Sequence, residues 1–346
     1  MNMLLRDKIL GSLAGSTIGD AMGAATELLT EDEIIRRFGK PVDSFEVPPA
    51  NNPYAGGRDA GQLTDDSSLT LGLCRAYLEH GGIITIDAVV EAILRWSESE
   101  YYPRFAGPAT KEAVQRLRNG DDPLEVGRHG DISMCGVTNG AAMKISPAGL
   151  MHPGDLDAAI QDAVTICLPT HGTQIAISGA CSVACAVSAA MMENATPFSI
   201  GKAALYGAEK GEVIGREKGR IAAGPSVSER LRLAMQIALG ESQPSQACRK
   251  IGKLIGSGLP AAEAVPAALG IFMAVDGDPM QAIQWAVNLG DDTDTVGCMV
   301  GAISGAYAGI GCISEKLLRQ IEQINHLDLT TIANAMTRIL DSDKGD

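Results

Sequence analysis

The chain has 346 residues, 45% of them apolar and only 4% aromatic, with 40 glycines and a formal net charge of −14. That apolar share can bury a large core, and the scarcity of aromatics leaves much of the packing to small side chains. The acidic balance, with no long lysine/arginine run, excludes a general binder of nucleic acid or of anionic membranes.

In chain order, residues 4–25 show no strand-like alternation and read as helix. Residues 40–63 carry Pro48-Pro49, Pro53 and Gly56-Gly57 and read as a long loop. The apolar stretch 69–78 reads as helix, followed by helices over 84–99 and 110–118. A second irregular stretch, 119–155, holds Gly120, Gly127, Gly130, Gly136 and Gly140. Helical periodicity resumes over 156–167 and 174–192, leaves 193–227 unassigned, and continues over 228–239, 244–255, 261–275, 278–288, 296–310, 314–324 and 328–341. Asp155, Ser242 and Thr330 are expected helix caps. The fold class is therefore all-α with at most a minor strand, and no linker-like run divides the single domain spanning 1–346. The uncharged stretches 174–192 and 296–313 are rich in Ala, Gly, Ser and Cys, which fits buried core helices better than membrane spans. Eight cysteines without a C-x-x-C pair read as buried free thiols of a cytoplasmic protein. Five scattered histidines argue against zinc.

Two glycine stripes stand out: Gly11, Gly15, Gly19 and Gly23, and Gly297, Gly301, Gly305 and Gly309. Spacing of four places each set along one helix face. Each glycine costs a helix up to about 1 kcal/mol relative to alanine, so close helix–helix contact is expected to offset the loss. Such a contact would bring Asp20 and Glu27 toward Asp292 and Asp294.

Thr64-Asp65-Asp66-Ser67 and Asp292-Thr293-Asp294-Thr295 each open an expected apolar helix. A lone aspartate there is an ordinary cap. Two clusters that meet in a partly buried site repel one another and need a cation. Their oxygen-only donors suit Mg²⁺, Mn²⁺ or Ca²⁺ rather than zinc or copper. Among the remaining residues, Tyr101, Tyr102 and Phe105 serve either to stack a base or to anchor a loop. His171 is either a substrate contact or a structural histidine, and the Gly256-Ser257-Gly258 run is a weak anion nest or a plain turn.

A third motif, Gly19-Asp20-Ala21-Met22-Gly23-Ala24-Ala25-Thr26-Glu27, precedes the two acidic clusters. With all three in this order the chain resembles the ADP-ribosylglycohydrolases. That family includes the dinitrogenase reductase-activating glycohydrolase and the ADP-ribosyl-arginine and ADP-ribosyl-serine hydrolases. The resemblance implies a compact orthogonal helical bundle and two Mg²⁺ or Mn²⁺ ions held by Thr64, Asp65, Asp66, Asp292, Asp294 and Thr295. It implies catalytic roles for Glu27, Asp65 and Asp294, and substrate contacts from Asn139, Gly140, Met143, Lys144 and His171. The implied reaction is hydrolysis of a glycosidic bond at ribose C1 of an ADP-ribosylated acceptor, with a small-molecule or ADP-ribosylated substrate as the partner and the oligomeric state open. Alternatives are a small nucleoside or riboside hydrolase, a non-catalytic binding protein of the same fold, and a two-metal phosphohydrolase. Three departures mark this chain. Asp291 stands where the family has glycine, the run from Tyr101 to Pro108 lacks an acid, and Lys144 replaces an arginine. The last two lean toward a small substrate.

Overall fold

The computed structural model describes residues 2–128 and 136–342, so Gly130 and Cys135 lie outside the described residues. Among the described residues there are eighteen α-helices, two short 3₁₀ turns and three isolated bridges, with no strand. The all-α expectation holds. One buried apolar cluster runs from Leu5 to Leu340.

At its centre the Met3–Gly23 helix lies antiparallel to the Thr293–Ala308 helix. The glycine stripes are the contact. A β-carbon on Gly11 would lie 2.4 Å from the Gly305 carbonyl oxygen, one on Gly15 2.2 Å from that of Gly301, and one on Gly19 2.1 Å from that of Gly297. Nothing larger than hydrogen fits there, and dispersion contacts between the two backbones replace the stability that glycine forfeits within each helix. Gly309 lies just past the helix, which stops at Ala308, and turns the chain at φ 77°, but it still packs on the seam: a β-carbon on Gly11 would lie 2.7 Å from its carbonyl carbon. The Gln174–Ala190 and Ala261–Ala274 helices, buried almost throughout, flank this pair.

The helix Pro197–Lys218 was not expected from periodicity. Its start is well marked, since Thr196 and Ser199 form a reciprocal capping box ahead of Pro197. Its interior glycines obscure the helical signal, and they form a second seam. β-Carbons on Gly207, Gly211 and Gly215 would lie 2.3 to 2.9 Å from backbone atoms or side-chain carbons of the Gln174–Ala190 helix. Short helices also occupy Glu31–Phe38, Tyr101–Phe105, Pro123–Val126 and Ser146–Leu150.

Asp155 caps its helix as expected, accepting from Ala158 N at 3.0 Å. Ser242 does not: Gln243 is the residue that precedes the Pro244–Leu254 helix, and no side chain caps it. Asp328, rather than Thr330, caps the last helix by accepting from Thr331 N at 2.8 Å. Thr330 already lies inside the first turn of Leu329–Ser342. Six of the seven described cysteines are buried free thiols, but Cys312 is exposed. Among the described residues no helix is long and apolar enough to cross a membrane, and both uncharged stretches are core helices.

The seam has a direct test. Gly15→Ala places a methyl group 2.2 Å from the Gly301 carbonyl oxygen, so the helices must part. The expected loss is about 3 kcal/mol or more of unfolding free energy in urea denaturation. A variant as stable as the wild type would contradict the backbone contact.

Candidate metal centre

The seam ends where the acids begin. The Gly23 carbonyl accepts from Glu27 N at 2.9 Å and from Thr293 Oγ1 at 2.9 Å. One backbone oxygen thus ties the turn carrying Glu27 to the start of the second seam helix. Two further bonds lock the same junction: Leu28 N donates to Asp291 O at 2.8 Å, and Asp291 N donates to Leu29 O at 3.1 Å. Leu28 and Asp291 both have positive φ, 63° and 65°, a region that a leucine strongly disfavours. Asp291 tolerates it better. The Gly256–Gly258 turn braces the loop as well. Ser257 O accepts from Asp292 N at 3.2 Å, and Ser257 Oγ donates to Gly290 O at 2.8 Å. The result is a cluster: carboxylate oxygens of Glu27, Asp292 and Asp294 lie within 4.8 Å of one another.

The Asp65–Glu79 helix presents its N-terminus to the same region, with Thr64 as its cap. Asp20, fully buried, accepts from Thr64 N at 3.2 Å, Thr64 Oγ1 at 2.7 Å and Ser67 N at 3.1 Å. It therefore satisfies helix-end donors from outside the helix and fixes where Asp65 and Asp66 point. The Thr64 hydroxyl donates its proton to Asp20, which leaves its oxygen able to accept. Thr295 lies beside the cavity. Asn139 Nδ2 donates to Asp292 Oδ2, orienting that carboxylate.

A cavity of about 330 Å³ opens over the cluster, and Glu27, Asp65, Asp66, Asp292, Asp294 and Thr295 form its acidic side. Phe105, Pro108, Met143, Leu259 and Tyr54 supply apolar surface. Asn139, Gly140 and His171 also line it. Gly140 is small for a reason: a β-carbon there would lie 2.8 Å from His171 Nε2. Lys144 is 1% exposed and does not line the cavity. Tyr101 and Tyr102 anchor the loop instead of facing the cavity. Tyr102 packs edge-on against Trp96 at 5.7 Å, and the Arg58 guanidinium lies over the Tyr101 and Phe105 rings at 5.6 and 5.1 Å. Sequence reasoning singled out neither Tyr54 nor Asn52. Asn52 Nδ2 donates to Glu27 O at 3.2 Å, and its Oδ1 accepts from Tyr54 N at 2.8 Å. Both residues sit in a proline- and glycine-rich loop whose composition marks it only as irregular.

The electrostatics follow from burial. Burial first, then the charges of Asp292, Asp65 and Asp20, push the Glu27 carboxyl up to about 9. Burial and Asp20 push Asp65 up to about 7. Asp66 and Asp294 are raised well above the carboxylate range, again mainly by burial. Burial pulls the Lys144 ammonium down to about 8, with nearby Asp65 and Asp66 acting in the opposite direction. Glu27 Oε2 and Asp66 Oδ1 are buried without a hydrogen-bond partner. Orphaned acceptors among mutually repelling carboxylates are what a hard cation satisfies, so these residues fit divalent ions.

Fold and site together define an all-helical protein that gathers buried carboxylates at helix N-termini beside a ligand-sized cavity. The chain belongs to the ADP-ribosylglycohydrolase family, whose model matches residues 1–345, and it is an enzyme of the glycosyl hydrolase class. It is similar to an uncharacterised protein, YegU, of Escherichia coli K12, with 32% identity over 96% of this chain and 97% of that one. It is also similar to the ADP-ribosylhydrolase ARH3 of Homo sapiens, at 24% identity over 95% of this chain and 92% of that one. The ADP-ribosylarginine hydrolase Tri1 of Pseudomonas putida is 26% identical over 93% of this chain and 76% of that one. A solved ADP-ribosylglycohydrolase-related protein complex shares the fold, with a TM-score of 0.70 and 24% identity over 97% of this chain and 99% of that one.

The raised carboxyls set a sign for pH dependence. In the unfolded chain Glu27 and Asp65 return to ordinary values of 4.5 and 3.8, whereas the folded chain holds their protons up to about 9 and about 7. In chelator the folded state binds more protons across that window, so stability falls as pH rises through it. Mg²⁺ or Mn²⁺ is expected to raise the melting temperature more at about pH 8 than at about pH 5. A chelated protein that grows more stable between those two pH values would contradict this reading.

Proposed function

We propose that this chain is a divalent-cation-dependent hydrolase that cleaves the glycosidic bond at ribose C1 of an ADP-ribosylated acceptor. The observation that carries the reading is the convergence of Glu27, Asp292 and Asp294 with Asp65 and Asp66 on one side of one cavity. Asp65, Asp66, Asp292 and Asp294, with the hydroxyls of Thr64 and Thr295, would hold two Mg²⁺ or Mn²⁺ ions. When bound, such ions supply positive charge that orients ribose hydroxyls and lowers the pKa of water. Glu27, with one carboxylate oxygen unpartnered, is placed to hold or move a proton at that oxygen. Asp65 and Asp294 flank the reacting centre. Asn139, Gly140, Met143 and His171 line the substrate's path, and Tyr54 and Phe105 offer aromatic surface to a base.

The whole chain acts as one domain in this reading, and its buried thiols suit a reducing cytoplasm. The related proteins named for ADP-ribosyl hydrolysis support the substrate class. A smaller riboside is the second reading, favoured by the lack of an acid between Tyr101 and Pro108 and by the apolar surface that Phe105 and Pro108 give the cavity.

A substrate panel separates the two. Free ADP-ribose released from ADP-ribosylated arginine or serine supports the first reading, and ribose released from nucleosides alone supports the second. Asp294→Ala is expected to lower the productive rate by roughly 100-fold or more and to weaken Mn²⁺ binding in calorimetry. Wild-type turnover by that variant would remove the site assignment.

A further inference from the structure

A second cavity, of about 270 Å³, lies between the Asp65–Glu79 and Ile86–Trp96 helices and is bounded as well by residues 325–327. It shares no lining residue with the cavity over the acids. Leu63, Leu71, Ala76, Ala88 and Trp96, all buried, give it apolar surface. Asn325 braces one side: it accepts from Leu63 N at 3.0 Å and donates to Gly61 O at 2.8 Å.

Gly72 sets this cavity apart. A glycine inside a helix destabilises it relative to alanine. Along the seams close backbone contact offsets that loss, but a β-carbon on Gly72 would meet nothing within 4 Å. Among the described residues, every other glycine inside an α-helix, short of the helix's last residue, meets atoms within that distance. Packing does not call for glycine here, and what the missing side chain leaves is cavity. The charges around it are unequally used. Arg95 donates to Glu79 at 2.8 Å and to Glu91 at 2.7 Å, so both lining glutamates are paired. Arg75, three residues after Gly72 and on the same helix face, is exposed and makes no ion pair or side-chain hydrogen bond among the described residues. The other titratable lining residues, His80 and His326, add no negative charge.

We propose that this cavity is a second ligand site, separate from the metal centre, for a small molecule with an apolar body and one anionic group, a carboxylate or a phosphate monoester. The body lies over Gly72 between the two helices, and the anion pairs with the guanidinium of Arg75, whose planar fork suits either oxyanion. The volume sits below the roughly 300–1,000 Å³ usual for ligand pockets, which limits the body to about one ring. The site does not rest on the ADP-ribosyl reading.

The chain has two tryptophans, and Trp96 lines the cavity. In a Trp285→Phe chain, fluorescence therefore reports on Trp96 alone. Phenyl phosphate and benzoate are the probes, and benzyl alcohol is their uncharged counterpart. At least one anion is expected to change the emission saturably and to bind about tenfold or more tighter than the alcohol; which of the two binds better identifies the anion, and either supports the site. Arg75→Gln should remove the preference for the anion. Gly72→Leu should abolish the titration by filling the cavity, with a melting temperature equal to its parent's or higher, since leucine is the better helix former. No saturable change with either anion, or a Gly72→Leu chain that titrates like its parent, overturns the site. An Arg75→Gln chain that still prefers the anion overturns the charge contact. A Gly72→Leu chain that melts lower than its parent contradicts the open space at that position and overturns the argument built on it.

Discussion

Backbone touches backbone along the seam between the Met3–Gly23 and Thr293–Ala308 helices, and the position of every functional group depends on that contact. With hydrogen as the only side chain at Gly11, Gly15, Gly19, Gly297, Gly301 and Gly305, the axes approach closely enough that Glu27, just past one helix end, reaches Asp292 and Asp294 at the start of the other. A methyl group anywhere on the seam would widen it and pull the two halves of the acidic cluster apart. Close packing transmits such displacements because protein interiors have little free space to absorb them.

The seam brings together charges that repel. Six carboxylates, those of Asp20, Glu27, Asp65, Asp66, Asp292 and Asp294, share a region from which water is largely removed. They are not equivalent. Asp20 spends its oxygens on the N-terminus of the Asp65–Glu79 helix, and Asn139 holds Asp292. Glu27 and Asp66 each keep an oxygen without a partner. Asp20 is thereby set apart as a structural acid, while Asp292 is oriented by Asn139 within the cluster that faces the cavity. Lys144, buried behind Asp65 and Asp66, offsets part of their charge from outside the cavity.

The junction of the two acidic segments stores conformational cost. Leu28 and Asp291 both adopt positive φ and are held there by reciprocal backbone bonds across residues 28–29 and 291. Strain of this sort, of order 1–3 kcal/mol per residue, persists only when its surroundings over-determine it, and here the seam, the Ser257 brace and the Gly23 carbonyl do so. The benefit is a rigid placement of Glu27 relative to Asp292, which a relaxed loop would not give.

The residues by themselves determined the helical class, the two helix-opening acidic clusters and the pairing of the glycine stripes. Each of these is a short-range pattern: a period, a cap or a spacing of four. The Pro197–Lys218 helix escaped because the glycines that make its packing seam also erase its apolar periodicity. Asp20 reads like any acid in the first motif, and its role as a cap in trans appears only when the helix starting at Asp65 is laid beside it. Tyr54 and Asn52 connect segments that share no local pattern. Only the tertiary structure could decide them, because a hydrogen bond between distant segments depends on where the core has placed both ends, and no local periodicity encodes that.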